Sequence, residues 1–447
     1  MSITRHVSVV GDDRSGIHHH LSALPSPATP REYSATCTTH RRRMNMLLKI
    51  HRLPTELLCA IFLMCGEPND IFNYPRAEHM QSRRDYRNCK TPLYSRMIIL
   101  LGHVCSRWFT VTRGCPQLWT MIDVPLPSAR DTAALKLALQ YSAGLPLTLR
   151  MDDNHYTDPL RRKAAACRRF MQLVASTSSR WEEISLIVKY EPPKIIDMIQ
   201  PLLDLPRYAF VRLQRATIRF ETDDRDGSAT SRLWESFYAS PVLRTVQWFF
   251  AVIHAPSSTL RQLTRIGVNA IRSDKVMALL QACPQLEVLQ AVVRHTPGVM
   301  PGKNDGYLIP SIATPIILRH LRVLMLSGMY DWSNLFGGLV VPNLVRLDLA
   351  VAGIQSDAIR AMLRRSSAHP RMLALRWILP GNDDELKLLF RCHELQDLRI
   401  LRYDPYDGPR IRYRNQFDPL PYIPPHIVFF TQSYAEAEQA YHALVVA

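Results

Sequence analysis

The chain has 447 residues, enough to bury a large core in two or three folding units, and its 47% hydrophobic and 21% charged residues exclude both a disordered polyelectrolyte and a membrane bundle. Its 55 Lys and Arg exceed 39 Asp and Glu, a net charge of +16 that points to acidic partners. The excess is densest at the front, with 16 basic and 8 acidic residues up to Cys115 against 39 and 31 in the remainder.

Residues 1–45 mix Pro25, Pro27 and Pro30 with Ser and Thr, a His18–His20 triplet and an Arg41–Arg43 triplet. No period is sustained, and a disordered tail is expected. The nine cysteines form no Cys-x-x-Cys pair, no Asn-x-Ser/Thr sequon occurs, and no apolar stretch approaches the ~18 residues of a membrane span. Reduced thiols and a cytoplasmic or nuclear location are expected, with no signal peptide and no membrane contact.

At Leu53 the pattern changes. Pro54 suits the first turn of a helix, where its missing N–H is no loss, and Glu56 complements the positive end of the helix dipole. Leu57, Leu58, Ile61 and Phe62 follow as one apolar face, and Gly66 and Pro68 end the run. After a polar, basic, loop-like stretch, a second helical run carries Leu100, Leu101, Val104, Cys105, Trp108 and Val111, stopped by Gly114 and Pro116. The two runs are expected to pack as a pair.

These residues resemble an F-box. The resemblance rests on Leu53-Pro54-Thr55-Glu56-Leu57-Leu58 with Ile61-Phe62, then Val104-Cys105-Ser106-Arg107-Trp108, then Cys115-Pro116-Gln117-Leu118-Trp119, and covers residues 46–125 with an insert near 67–95. With Leu145 to Leu149 and Ser179-Arg180-Trp181 downstream, the chain looks like the large F-box family of mushroom-forming fungi. The resemblance implies docking on a Skp-family adaptor, and through it a cullin, by Leu53, Pro54, Leu57, Leu58, Ile61, Phe62, Val104 and Trp108 or by residues supporting them. A plain helical hairpin is the alternative.

Residues 126–180 are read as a connecting region. From Trp181 an apolar residue recurs at positions 1, 4 and 6 of a short segment, in nine triples: Trp181/Ile184/Leu186, Leu213/Ala216/Ile218, Leu243/Val246/Trp248, Leu263/Ile266/Val268, Leu286/Leu289/Ala291, Leu321/Leu324/Leu326, Leu344/Leu347/Leu349, Met372/Leu375/Trp377 and Leu395/Leu398/Ile400. Starts 20 to 35 residues apart bracket the leucine-rich repeat. Helix starts at Ser273, Ser356 and Asp383 lie between these strands, their side chains expected to cap. The expected fold class is α/β, an N-terminal helical F-box followed by an irregular leucine-rich-repeat-like solenoid over 181–403; an ordinary α/β domain is the alternative. Residues 404–447, with six prolines from Pro405 to Pro425, are read as a proline-rich tail.

No phosphate-cradling glycine loop, nucleophile elbow or His-Glu-x-x-His zinc pair is present, so no catalytic residue, cofactor, metal site or small-molecule ligand is expected. The F-box resemblance implies the substrate receptor of an SCF-type cullin-RING ubiquitin ligase, a non-enzyme that binds a protein substrate for degradation. A basic scaffold on nucleic acid is the alternative, and the wide scatter of the arginines argues against it. In a leucine-rich repeat, positions 3, 5 and 7 face the concave side. There the frame places Phe249, Val288, Val323 and Met325 as an apolar strip, with Arg346, Arg376 and Arg399 offered to acidic or phosphorylated residues of a substrate. The alternatives are a shifted register and a C-terminal tail folded across the strip.

Overall fold

Helix α1 spans Thr55–Met64, starting where Pro54 and Glu56 direct it. The computed structural model describes residues 49–64, 94–124, 127–152, 164–188, 192–220, 228–249, 255–294, 314–328, 330–351, 353–379, 382–405, 422–430, 440–441 and 443. The proposed N-terminal tail and almost all of the 67–95 insert lie outside these residues. The chain divides into two compact units, Met1–Leu58 and Cys59–Ala447. In the first, a 3-10 turn at Lys49–Arg52 leads into the opening turn of α1, where the Leu58 N–H donates to the Pro54 carbonyl at 3.1 Å.

In the second unit the run expected as one helix is two, α2 (Tyr94–Val104) and α3 (Ser106–Gly114). Cys105 breaks it: its backbone is extended, and its Sγ accepts the Trp108 N–H at 3.4 Å, capping α3. The break redirects the apolar residues, so Leu100 and Val104 are exposed while Val111 is buried. Phe62 packs on Trp108 with ring centroids 4.8 Å apart. A 3-10 turn at Pro116–Trp119 follows, pinned by a 2.7 Å hydrogen bond from the Trp119 indole N–H to the Thr112 carbonyl.

From Met121 onward the fold is mixed α/β. The strands are β1 (Met121–Val124), β2 (Leu147–Asp152), β3 (Trp181–Val188), β4 (Arg215–Phe220), β5 (Thr245–Trp248), β6 (Arg265–Arg272), β7 (Val288–Arg294), β8 (Ile316–Ile317), β9 (Val323–Ser327), β10 (Leu339–Val340), β11 (Arg346–Ala350), β12 (Met372–Ile378), β13 (Ile400–Pro405) and β14 (Val428–Phe430). Apart from β8 and β10, which form a small parallel pair, they make one parallel sheet of twelve strands in chain order. Between them run α4 (Ala129–Tyr141), α5 (Ala164–Ser176), α6 (Pro192–Leu203), α7 (Ser228–Tyr238), α8 (Ser257–Gln262), α9 (Ser273–Ala282), α10 (Ser333–Gly338), α11 (Ser356–Ser366) and α12 (Asp383–Phe390), giving twelve α-helices among the described residues.

The sheet runs beyond the repeat segment 181–403 at both ends. The sheet begins inside the segment assigned to the F-box, and the supposed connecting region 126–180 carries β2, α4 and α5. The C-terminal tail supplies the last strand, β14, paired to β13. Its prolines all precede that strand and do not interrupt it.

The first seven triples pair in the frame read from the sequence: Ile184 faces Ala216, then Val246, Ile266, Leu289, Leu324 and Leu347 in turn. Positions 4 and 6 of all seven are at most 4% exposed, each large side chain contributing about 1.5–3 kcal/mol by burial. One further bond joins each repeat to the next. The position-2 N–H donates to the position-2 carbonyl of the preceding repeat, from Gln214 to Glu182 at 2.8 Å and on to Arg399 and Arg371 at 2.8 Å.

The last two triples are displaced. Leu347 faces Leu373 rather than Leu375, and Leu373 faces Leu401, so the frames are Pro370/Leu373/Leu375 and Leu398/Leu401/Tyr403. Arg376 stays on the odd-position face, as position 7. Arg399 becomes position 2 and leaves it. The helix starts at Ser273, Ser356 and Asp383 are correct, but no side-chain cap bond forms at the residues preceding them. Ser356 is held instead by Glu385 of the following repeat, which accepts its N–H at 3.0 Å and its hydroxyl.

Gly328, just past β9, has φ +146, and a Cβ there would lie 2.8 Å from the Val293 carbonyl oxygen. Both the backbone and the close approach demand glycine. Gly328→Ala is expected to cost about 2–3 kcal/mol in urea unfolding.

Candidate functional site

Among the residues matched to the F-box pattern, α1 separates two roles. Leu58 and Phe62 are 0% and 2% exposed, whereas Leu57 and Ile61, one turn apart on the same helix, are 51% and 37% exposed. Pro54 and Val104 are also exposed, and Leu53 and Trp108 are half-buried. Phe62 therefore supports the helix through Trp108 and is not available to a partner. Met64 and Leu100 are exposed apolar residues that the pattern did not include.

The odd-position face of the sheet holds two charged clusters. On β2, β3 and β4, Glu183 accepts from Arg150 Nε at 2.9 Å and from Arg215 Nε at 2.7 Å. On β11 and β12, the fully buried Asp348 accepts from Arg376 Nε at 3.0 Å and from Arg346 Nη2 at 3.2 Å. Burial alone would raise the Asp348 carboxyl, but the Arg376 and Arg346 guanidiniums outweigh it and hold the group below its ordinary value. Next to it, Arg402 pairs with Asp404 on β13, both buried.

This arrangement bears on the residues expected to contact substrate. Arg346 and Arg376 are 3% and 7% exposed and committed to Asp348, so they are not presented to an incoming acidic chain. Arg399 is exposed but sits off the face. Of the apolar strip, Phe249 is buried with the Arg219 guanidinium 5.0 Å from its ring centre, Met325 is buried, and Val288 and Val323 are half-buried.

The tail does reach the face. Tyr441 packs on Met372, Ala374 and Ile400, with Val345, Phe430 and Ala440 around it, and the Arg346 guanidinium carbon lies 5.2 Å from its ring centre. Tyr441, Arg150, Arg402 and Asp404 were not singled out from the sequence. Arg150 follows Leu147-Thr148-Leu149 in strand alternation, so extending the repeat search upstream would have found it.

The described cysteines are free thiols. Burial pushes the Cys283 thiol up to about 12 and, with Glu394 adding to it, the Cys392 thiol up to about 11. Both are expected to resist alkylation at pH 8 in the native protein and to react at once in denaturant, as read by mass spectrometry. Among the described residues there is no group of three or more His, Cys, Asp or Glu able to hold a metal ion. No described helix is long and apolar enough to cross a membrane.

No protein-family model matches the chain, and no curated protein matches it.

Proposed function

We propose that the chain is a substrate receptor of an SCF-type cullin-RING ubiquitin ligase, with an F-box that docks a Skp-family adaptor and a leucine-rich-repeat-like solenoid that holds a protein substrate. The observation that carries this reading is α1. It presents Leu57 and Ile61 to solvent while Leu58 and Phe62 are buried. Large apolar side chains held outward on a short helix are what a helix-mediated interface uses as anchors. The sheet supports the second half of the reading, because parallel strands in chain order joined by helices stack as repeats do.

On this reading the receptor works in the cytoplasm or nucleus and performs no chemistry itself. It raises the local concentration of substrate beside the ubiquitin-carrying enzyme, an effect of tethering. Pairing of Arg150 and Arg215 with Glu183, and of Arg346 and Arg376 with Asp348, weighs against a nucleic-acid surface on this face. Pull-down of the full chain with purified adaptor, set against salt-dependent retention on nucleic acid, separates the two. Capture by the adaptor supports the receptor, and retention on nucleic acid alone rejects it.

A further inference from the structure

Position 3 of six neighbouring strands forms a row on the odd-position face: Val288, Val323, Arg346, Met372, Ile400 and Val428. Five are aliphatic or Met and one is Arg. At about 4.8 Å between strands the row is about 24 Å long, the reach of an extended segment of about seven residues.

The chain itself occupies part of this row. Tyr441 is 9% exposed, and its ring rests on Met372 and Ile400 while the guanidinium of Arg346 lies 5.2 Å from its centre. The fit is chemical as well as steric. An aliphatic floor favours a large flat side chain, and the guanidinium favours one with an electron-rich face. Asp348 holds this guanidinium, its Oδ2 3.2 Å from Arg346 Nη2. The seat is therefore built by the sheet. Along the row, Val288 and Val323 remain half-buried, so the track continues past the ring.

Tyr441 enters 36 residues after Pro405, the last residue of β13, and Phe430 and Ala440 are the other described tail residues packed with it. A contact made by one ring and the neighbouring Ala440 on a sheet face is of the kind that opens without unfolding the sheet.

We propose that the position-3 row is the substrate-reading track of this receptor, that Tyr441 is a resident occupant closing it in cis, and that a substrate protein enters with an aromatic side chain in the place Tyr441 holds over Arg346. The inference rests on the receptor reading for the word substrate. The seat and its exchange do not depend on adaptor docking.

The probe is a labelled synthetic peptide of residues 431–447, titrated into the full-length parent and into full-length Tyr441→Ala and Tyr441→Phe by fluorescence anisotropy. Tyr441→Ala opens the seat and is expected to bind the peptide about tenfold tighter than the parent, the usual size of a single aromatic anchor. Tyr441→Phe keeps the ring and should behave as the parent. A peptide carrying the same Tyr441→Ala change should bind the opened chain about tenfold more weakly than the unaltered peptide. Equal binding by the parent and Tyr441→Ala, or no binding to a Tyr441→Ala chain that still melts cooperatively, would overturn the proposal. Adaptor pull-down of the same three proteins is scored separately. Its failure with peptide exchange intact would strike only the receptor reading.

Discussion

Asp348→Ala is expected to lose about 3–5 kcal/mol of stability, because it leaves two buried guanidiniums facing each other without the carboxylate they share. The loss should be read in urea at neutral pH. Replacing all three members together, with Arg346→Met and Arg376→Met added to Asp348→Leu, is expected to recover much of it, since well-packed apolar groups can match a buried ion triad. Recovery would place the cost in the uncompensated charge. A triple variant as weak as Asp348→Ala would place it in packing.

The same carboxylate sets a pH dependence. Its folded value lies below its ordinary one, so between the unfolded value of about 3.9 and the folded value the unfolded chain binds more protons. The contribution is thus complete above the unfolded value and fades as pH falls through the folded one. The parent should lose more stability than Asp348→Ala on acidification below about pH 4.

Much of the sheet was legible in the sequence because one physical rule governs it. Where one strand face packs on helices and the other stays polar, positions 4 and 6 stand out, and the seven triples from Trp181 to Leu349 fall in their correct frame. The rule fails where both faces are covered. On β12, Met372, Leu373, Ala374 and Leu375 are all buried, Met372 and Ala374 because Tyr441 lies on them, so alternation vanishes and the frame slides by two. On β13 the slip of three has another source. Leu395 sits in the turn before the strand, where its carbonyl accepts the Leu398 N–H at 3.1 Å, and it imitates a position 1.

Strand β1 was missed because Met121-Ile122-Asp123-Val124 is too short to show a period and merges with the preceding Pro-x-Leu-Trp element. The break at Cys105 is local and silent in hydrophobic spacing, since it depends on a thiol accepting a backbone N–H. The arginines on the sheet face were visible as residues but not as pairs. Asp348 lies two positions from Arg346 yet meets Arg376 only across the strand boundary, 28 residues away.

On the helical side, composition named the right residues and geometry divided them. Leu57, Leu58, Ile61 and Phe62 read as one apolar face, but only Leu58 and Phe62 are buried, while Leu57 and Ile61 stay exposed. Phe62→Ala is therefore a stability variant, costing about 3–5 kcal/mol through lost packing on Trp108. It cannot report on docking.

Leu57→Glu with Ile61→Glu is the variant that can. Both side chains are exposed, so the melting temperature should barely move, while charges set into an apolar interface should weaken adaptor binding by at least about 100-fold. The decisive measurement is calorimetric titration of a purified Skp-family adaptor into the full-length parent and into this double variant. Stoichiometric binding by the parent and its loss in an equally stable variant are expected; a folded parent that does not bind, or a variant that binds as the parent does, would overturn the receptor reading.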